Sequence, residues 1–130
     1  MKHFSTSWRS SSNPRKQRKF VANAPAHIKR SLFNVHLAPL LRKKYNRRTL
    51  LVRKGDTVKI LTGQFKKKSG KVERFDRSRV RIYVDAAYRL KRDGAKAFYP
   101  LHPSNVMITD IVLEDKERKL VLEKNMKGKQ

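Results

Sequence analysis

Apolar positions fall on every second residue over much of the middle of the chain. Val58 and Ile60 alternate with Thr57 and Lys59, and in RVRIYV Val80, Ile82 and Val84 alternate with Arg79, Arg81 and Tyr83. A period of two sends successive side chains to opposite faces, so each run predicts a half-buried strand. Gly63 and Gly70 punctuate the chain and Val72 resumes a strand. Asp93-Gly94, flanked by AAYRLK and AKAFYP, predicts a hairpin turn. Val106, Ile108 and the Ile111–Leu113 run supply one or two last strands. Short strands with closely spaced turns predict a small, mainly β sandwich or barrel, and a barrel would leave no open sheet edge.

Upstream the period changes. Ile28, Leu32 and Val35 recur at i, i+4 and i+7, which predicts a helix with Asn23 as cap and Pro25 in its first turn. Pro39 should end or kink that helix and open a second short one, with Leu40 and Leu41 inward and Arg42, Lys43 and Lys44 outward. Residues 1–22 are polar and basic with little periodicity, the pattern of an extended arm that is disordered in the free protein. The segment EDKERKLVLEKNMKGKQ predicts a short helix from about Asp115, followed by a tail. The expected organisation is therefore an arm at 1–22, short basic helices at 23–49, a β module at 50–113, and a helix with tail at 114–130. At 130 residues, one domain is expected.

Charge adds the partner. The formal net charge is +24, from 34 Lys and Arg against 10 Asp and Glu. Such a surplus repels itself unless a polyanion is bound, which makes nucleic acid the first candidate and an anionic membrane the second. The asymmetry sharpens this: Met1 to Lys54 holds 15 basic residues and no acid, whereas residues 55–130 hold 19 basic residues and all 10 acids. The second part can pair its charges; the first cannot. A solvated helix end would explain one basic cluster, but Arg42–Lys44 is the third in an acid-free stretch, which favours a surface facing RNA or DNA. The apolar pattern around Ile28 is too weak for a membrane-lying helix. No apolar run approaches the ~20 residues that span a bilayer. The Ser- and Arg-rich, acid-free start superficially resembles a mitochondrial transit peptide.

Little here suggests catalysis. There is no cysteine, hence no disulfide, thiolate zinc site or thiol nucleophile. His3, His27, His36 and His102 lack metal-ligand spacing. No nucleophile–base pair and no Walker-type phosphate loop is visible. Neither a metal nor a cofactor is expected, and the chain reads as a non-enzyme.

The stretch GDTVKILTGQFKKKSGKV carries the clearest motif. Gly63 ends a strand where a positive φ or a close backbone approach is needed. Phe65 returns a ring to the core, Lys66–Lys68 occupy an exposed tip, and Gly70-Lys71-Val72 re-enters the sheet. Lysines and backbone N–H groups on such a loop suit phosphate oxygens. The pattern VRKGDxVxIxxGxFKxxxGKV is similar to the KOW motif of ribosomal proteins and transcription elongation factors. The flanks NPRKQRKFVANAPAHIKR, LRKKYNRRTLLVRKGD and FYPLHPSNVMI resemble the large-subunit ribosomal KOW family, called L-twenty-four in bacteria and L-twenty-six in eukaryotes. The resemblance runs from about Asn13 to about Lys124 and leans to the archaeal and eukaryotic branch. That family usually has Gly after the loop lysine; this chain has Lys67, which argues against a positive-φ turn there.

The resemblance implies an SH3-like β-barrel over 50–113, bound to large-subunit ribosomal RNA in its 5′ region near the peptide exit tunnel early in assembly. It implies neighbouring large-subunit proteins, a cytoplasmic ribosomal location, no membrane and no homo-oligomer. The candidate RNA contacts are Arg15, Lys16, Arg18 and Lys19 in the arm, then His27, Lys29 and Arg30. Arg42, Lys43, Lys44, Arg47 and Arg48 follow, and Gly63, Lys66, Lys67, Lys68, Gly70 and Lys71 form the loop. Arginine offers a planar fork and lysine a point charge, so Arg15, Arg18, Arg30, Arg47 and Arg48 should matter most individually. Trp8, Phe20 and Tyr45 could stack on splayed bases. For Tyr45 a packing role at the junction of helix and β module is preferred; for Trp8 stacking and disorder stay equally open. His102-Pro103-Ser104-Asn105 reads as a turn before the last strand. The alternative function is a KOW module of a transcription elongation factor, binding RNA polymerase and nucleic acid.

Overall fold

Asn13-Pro14 starts a helix in the segment expected to be extended. In the computed structural model, which describes residues 3–127, the Asn13 side chain accepts the Arg15 N–H at 2.9 Å and Pro14 occupies the first helical position of α1 (Pro14–Asn23). A capping Asn satisfies one orphan N–H and a first-turn Pro has none to leave unpaired. Before α1 lies a 3₁₀ turn, Thr6–Ser10. Phe20 is buried, its ring 5.3 Å from that of Phe4, and Trp8 packs on Phe4 at 6.1 Å. The arm is thus a small folded unit with its own aromatic cluster, and Trp8 has a structural place in it.

The second helix is shorter than its spacing predicts. α2 spans Ala26–Ser31 with Pro25 at its cap, while Asn23 closes α1. Val35 lies in a strand, β1 (Asn34–Leu37), where Val35 and Leu37 are buried, continuing a period of two from the buried Phe33 just before it. That alternation prevails over the helical spacing because a strand here pairs its backbone on both sides. Pro39 opens α3 (Pro39–Tyr45) as expected. Leu40, however, points outward at 81% exposure; Leu41 and Tyr45, one turn apart, share the inward face. Asn46 then takes a left-handed φ of 47° and ends the helix.

The remaining strands are β2 (Thr49–Leu51), β3 (Thr57–Ile60), β4 (Ser69–Asp76), β5 (Arg81–Val84), β6 (Tyr88–Leu90), β7 (Lys96–Phe98) and β8 (Val106–Asp110). Six form one sheet in the order β2-β1-β8-β3-β4-β5, with β1 and β8 parallel and every other pair antiparallel. β6 and β7 make the expected hairpin around Asp93-Gly94, with Gly94 at φ 75°. Val80 is buried as predicted but precedes β5, in a turn at φ 54°.

The protein is mainly β with short helices, but the large sheet is open rather than a closed ring: its edge strands β2 and β5 do not pair. β5 is extended only by a bridge between Ile82 and Leu101, with N–H···O distances of 2.8 and 2.9 Å. Pro103 follows, which has no N–H for a ladder, and the chain turns through a 3₁₀ segment, Pro103–Asn105, into β8. The expected strand at Ile111–Leu113 is absent because carboxylates take its donors: Asp110 accepts the Ile111 N–H and Asp56 accepts that of Val112.

The strands share one core that includes Val35, Leu37, Val58, Ile60, Ile82, Val84, Val106 and Ile108, all fully buried. Tyr45 joins it from α3, in the packing role preferred for it, and Leu122 joins from α4 (Lys116–Lys127). The Asp115 side chain caps α4 by accepting the Glu117 N–H at 3.0 Å. The tail beyond Lys127 lies outside the described residues.

Candidate nucleic-acid interface

The loop between β3 and β4 is pinned from below and charged on top. Ile60 donates its N–H to the Lys68 carbonyl and accepts that of Lys67, both at 2.9 Å. Phe65 is buried against Tyr99, with ring centroids 5.5 Å apart. Gly63 adopts φ 89°, and nothing lies within 4 Å of where a Cβ would stand, so conformation and not space selects glycine there. Gly70 is the opposite case: a side chain would overlap the Asp85 carboxylate and lie 2.8 Å from the Ala86 Cβ. Asp85 in turn accepts the Lys71 N–H at 2.9 Å.

Lys67 does adopt a positive φ, 72°, against the expectation from its side chain. The paired hydrogen bonds with Ile60 impose the turn whatever residue occupies it. Lys66, Lys67 and Lys68 are all exposed, and only Lys68 is partly engaged, its Nζ 5.5 Å from the Phe65 ring centroid.

On α1, Arg15, Lys16, Arg18 and Lys19 are exposed, with Lys19 Nζ 4.8 Å from the Trp8 ring centroid. Lys43, Lys44 and Arg48 are likewise open to solvent. Arg42 is not: its Nε donates to the Leu37 carbonyl at 2.6 Å, so part of its guanidinium serves the fold. Lys29 also gives a hydrogen bond inward, to the Ala22 carbonyl at 3.2 Å.

The structure brings His27, Arg30 and Arg47 together beside one groove. Two adjoining cavities of ≈ 320 and ≈ 640 Å³ share His27, Arg30, Leu51 and Arg53 in their walls. The loop lysines line neither. Arg53 and Arg77 belong to this groove but were not among the sequence candidates; the VRKGD flank of the motif was the available signal for Arg53. The hairpin also exposes Arg89, Lys91, Arg92 and Lys96, which no motif covers.

Among the described residues only two ion pairs form, Arg53 with Asp115 and Arg118 with Asp56. None of the candidate RNA contacts is among them, so their charge is available to a partner. No cluster of three or more His, Asp or Glu that could hold a metal occurs among the described residues. His27 is exposed at the groove, whereas His102 caps the turn before β8, its Nδ1 accepting the Ser104 N–H at 3.2 Å. Partial burial, and then the charge of Arg81, hold the His102 pKa below its ordinary 6.5.

Comparison with known proteins identifies the family. A family model described as the eukaryotic ribosomal proteins L26 and their archaeal L-twenty-four counterparts matches residues 11–125. A relative named large ribosomal subunit protein uL24, from Methanosphaera stadtmanae, is 43% identical over 116 residues, covering 89% of this chain and 99% of the relative.

Proposed function

Since the chain belongs to the family of eukaryotic L26 and archaeal L-twenty-four ribosomal proteins, we propose that it serves as a structural constituent of the large ribosomal subunit, bound to large-subunit RNA on the cytoplasmic ribosome. The observation that carries this is the match over residues 11–125, nearly the whole chain, to a ribosomal family. The family is structural, so the protein's work is binding.

The physical account is electrostatic. Each phosphate neutralised by a Lys or Arg releases condensed counterions, and the entropy gained drives association. Such contacts fix position without reading sequence, so specificity comes from RNA shape, 2′-hydroxyls and unpaired bases. The arm, folded over 3–22, the basic helices over 23–49 and the loop at 63–71 are the proposed grips, using the contacts named above. A protein holding several RNA segments at once favours the folded RNA, which suits a role in assembly, and the family resemblance puts that role near the exit tunnel. The finer architecture, an SH3-like KOW barrel over 50–113, is supported by the antiparallel run β8-β3-β4-β5 and by the Ile82–Leu101 bridge, two residues before the turn that leads into β8.

Sedimentation of the tagged chain in a low-salt cell extract tests the assignment. Co-migration with large ribosomal subunits is expected; migration with RNA polymerase would overturn it.

A further inference from the structure

The groove holds more than phosphate neutralisation requires. Its floor in the larger cavity is Phe33, Leu51, Val52 and Phe75; its rim includes His27, Arg30 and Arg77. Phosphate oxygens are strongly hydrated and lose hydrogen bonds against apolar carbon, so an aromatic floor does nothing for them. Phe75 is half-buried and lines the groove, and the buried Phe33 ring, 5.8 Å away at 58°, backs it. The cavity of ≈ 640 Å³ falls within the range of about 300–1,000 Å³ typical of sites that enclose small organic ligands.

A nucleotide has the complementary parts: a flat apolar face, a polar edge and a flanking anion. We propose that this groove receives one unpaired nucleotide of the bound RNA, its base against Phe75 and its phosphates held by Arg30 and Arg77. The proposal rests on the RNA-binding function above and specifies how one site achieves it. Every base has a π-face, so the site reads that a nucleotide is unpaired, not which base it carries. The rim alone would also suit an acidic peptide, but such a ligand makes no use of the ring.

The test titrates the full ¹⁵N-labelled chain with adenosine 5′-monophosphate, ribose 5-phosphate and tetraglutamate, following amide shifts. Adenosine monophosphate should shift Phe33, Leu51, Val52 and Phe75 and bind several-fold more tightly than the other two. Phe75→Leu keeps an apolar side chain and should weaken the nucleotide roughly tenfold while leaving ribose 5-phosphate unchanged. Arg77→Gln, at an exposed position, should weaken both phosphates together. Equal binding of all three ligands by the unmodified chain would overturn the proposal without any variant, and so would an unchanged nucleotide affinity in Phe75→Leu. Binding to a ribosomal RNA fragment is measured alongside. A chain that grips the fragment but ignores adenosine monophosphate refutes the groove alone; one that binds neither refutes the RNA-binding function with it.

Discussion

Arg118 grips Asp56 with both terminal nitrogens, Nη1 to Oδ1 at 2.7 Å and Nη2 to Oδ2 at 2.6 Å, across 62 residues of sequence. Asp56 is fully buried and Arg118 is 5% exposed. The carboxylate also accepts the N–H groups of Arg53 at 2.8 Å and Val112 at 3.1 Å, while the guanidinium donates to the carbonyls of Val112 and Leu51. One ion pair therefore ties α4, the end of β2 and the turn before β3 into a single unit. Removing one partner strands a buried charge. Arg118→Met should cost about 3–5 kcal/mol. Urea denaturation midpoints measure this; a loss below ~1 kcal/mol for Arg118→Met would show that the pair is not what secures α4.

Lys67 carries a conformational cost at a position proposed to face RNA phosphate. A left-handed residue other than glycine costs roughly 1–2 kcal/mol. Lys67→Gly should stabilise the free protein by up to about that amount, seen as a raised melting temperature. The same change should weaken binding to ribosomal RNA and reduce the salt slope by about one. A variant that is less stable, or that keeps the full slope, contradicts this division of roles.

The two loop glycines should respond differently to alanine. At Gly63 the only obstacle is φ, a cost of about 1–2 kcal/mol. At Gly70 the new methyl meets the Asp85 carboxylate and Ala86, so Asp85 must release the Lys71 N–H or the strand must shift, which should cost more. Chemical denaturation of the pair decides it. Equal losses would mean that the neighbours of Gly70 yield freely.

His102 predicts an acid sensitivity. Its pKa is lowered in the folded state, so between the depressed value and 6.5 the unfolded chain binds more protons. The stability contributed by the neutral cap is present above 6.5 and is lost as pH falls below it. The melting temperature of the native chain should fall more between pH 7.5 and 5 than that of His102→Asn, which caps without titrating in this range. Parallel curves would remove His102 as the cause.

Much of this was legible because local pattern and tertiary structure agree over most of the chain after Thr57, with Lys67, Val80 and the run at 111–113 as exceptions. The strands at Val58–Ile60 and Ile82–Val84, the Asp93-Gly94 hairpin and the Asp115 cap each carry a short-range signal. The N-terminal third misled where two patterns compete. Ile28, Leu32 and Val35 fit a helix, but Phe33, Val35 and Leu37 fit a strand that exists because β2 and, some seventy residues later in sequence, β8 lie on either side of it. Asn13-Pro14 was a readable cap hidden inside a polar run, and nothing local announces that Phe4, Trp8 and Phe20 meet. The loop lysines follow from the motif. The groove does not: Arg53, Phe75 and Arg77 share a cavity with His27 and Arg30 only once the chain has folded. Arg118 looks like one more surface cation, and only its distant partner Asp56 makes it structural.

The most direct test of the central claim, that the surplus cations are matched to a folded RNA, is the affinity of the full chain for a fragment spanning the 5′ region of large-subunit ribosomal RNA, set against random-sequence RNA of equal length. The account predicts a clear preference for the ribosomal fragment and, if about ten cations engage, a fall in affinity of ~10³–10⁵ between 50 and 200 mM salt. Equal affinity for the two RNAs, with little response to salt, would contradict it.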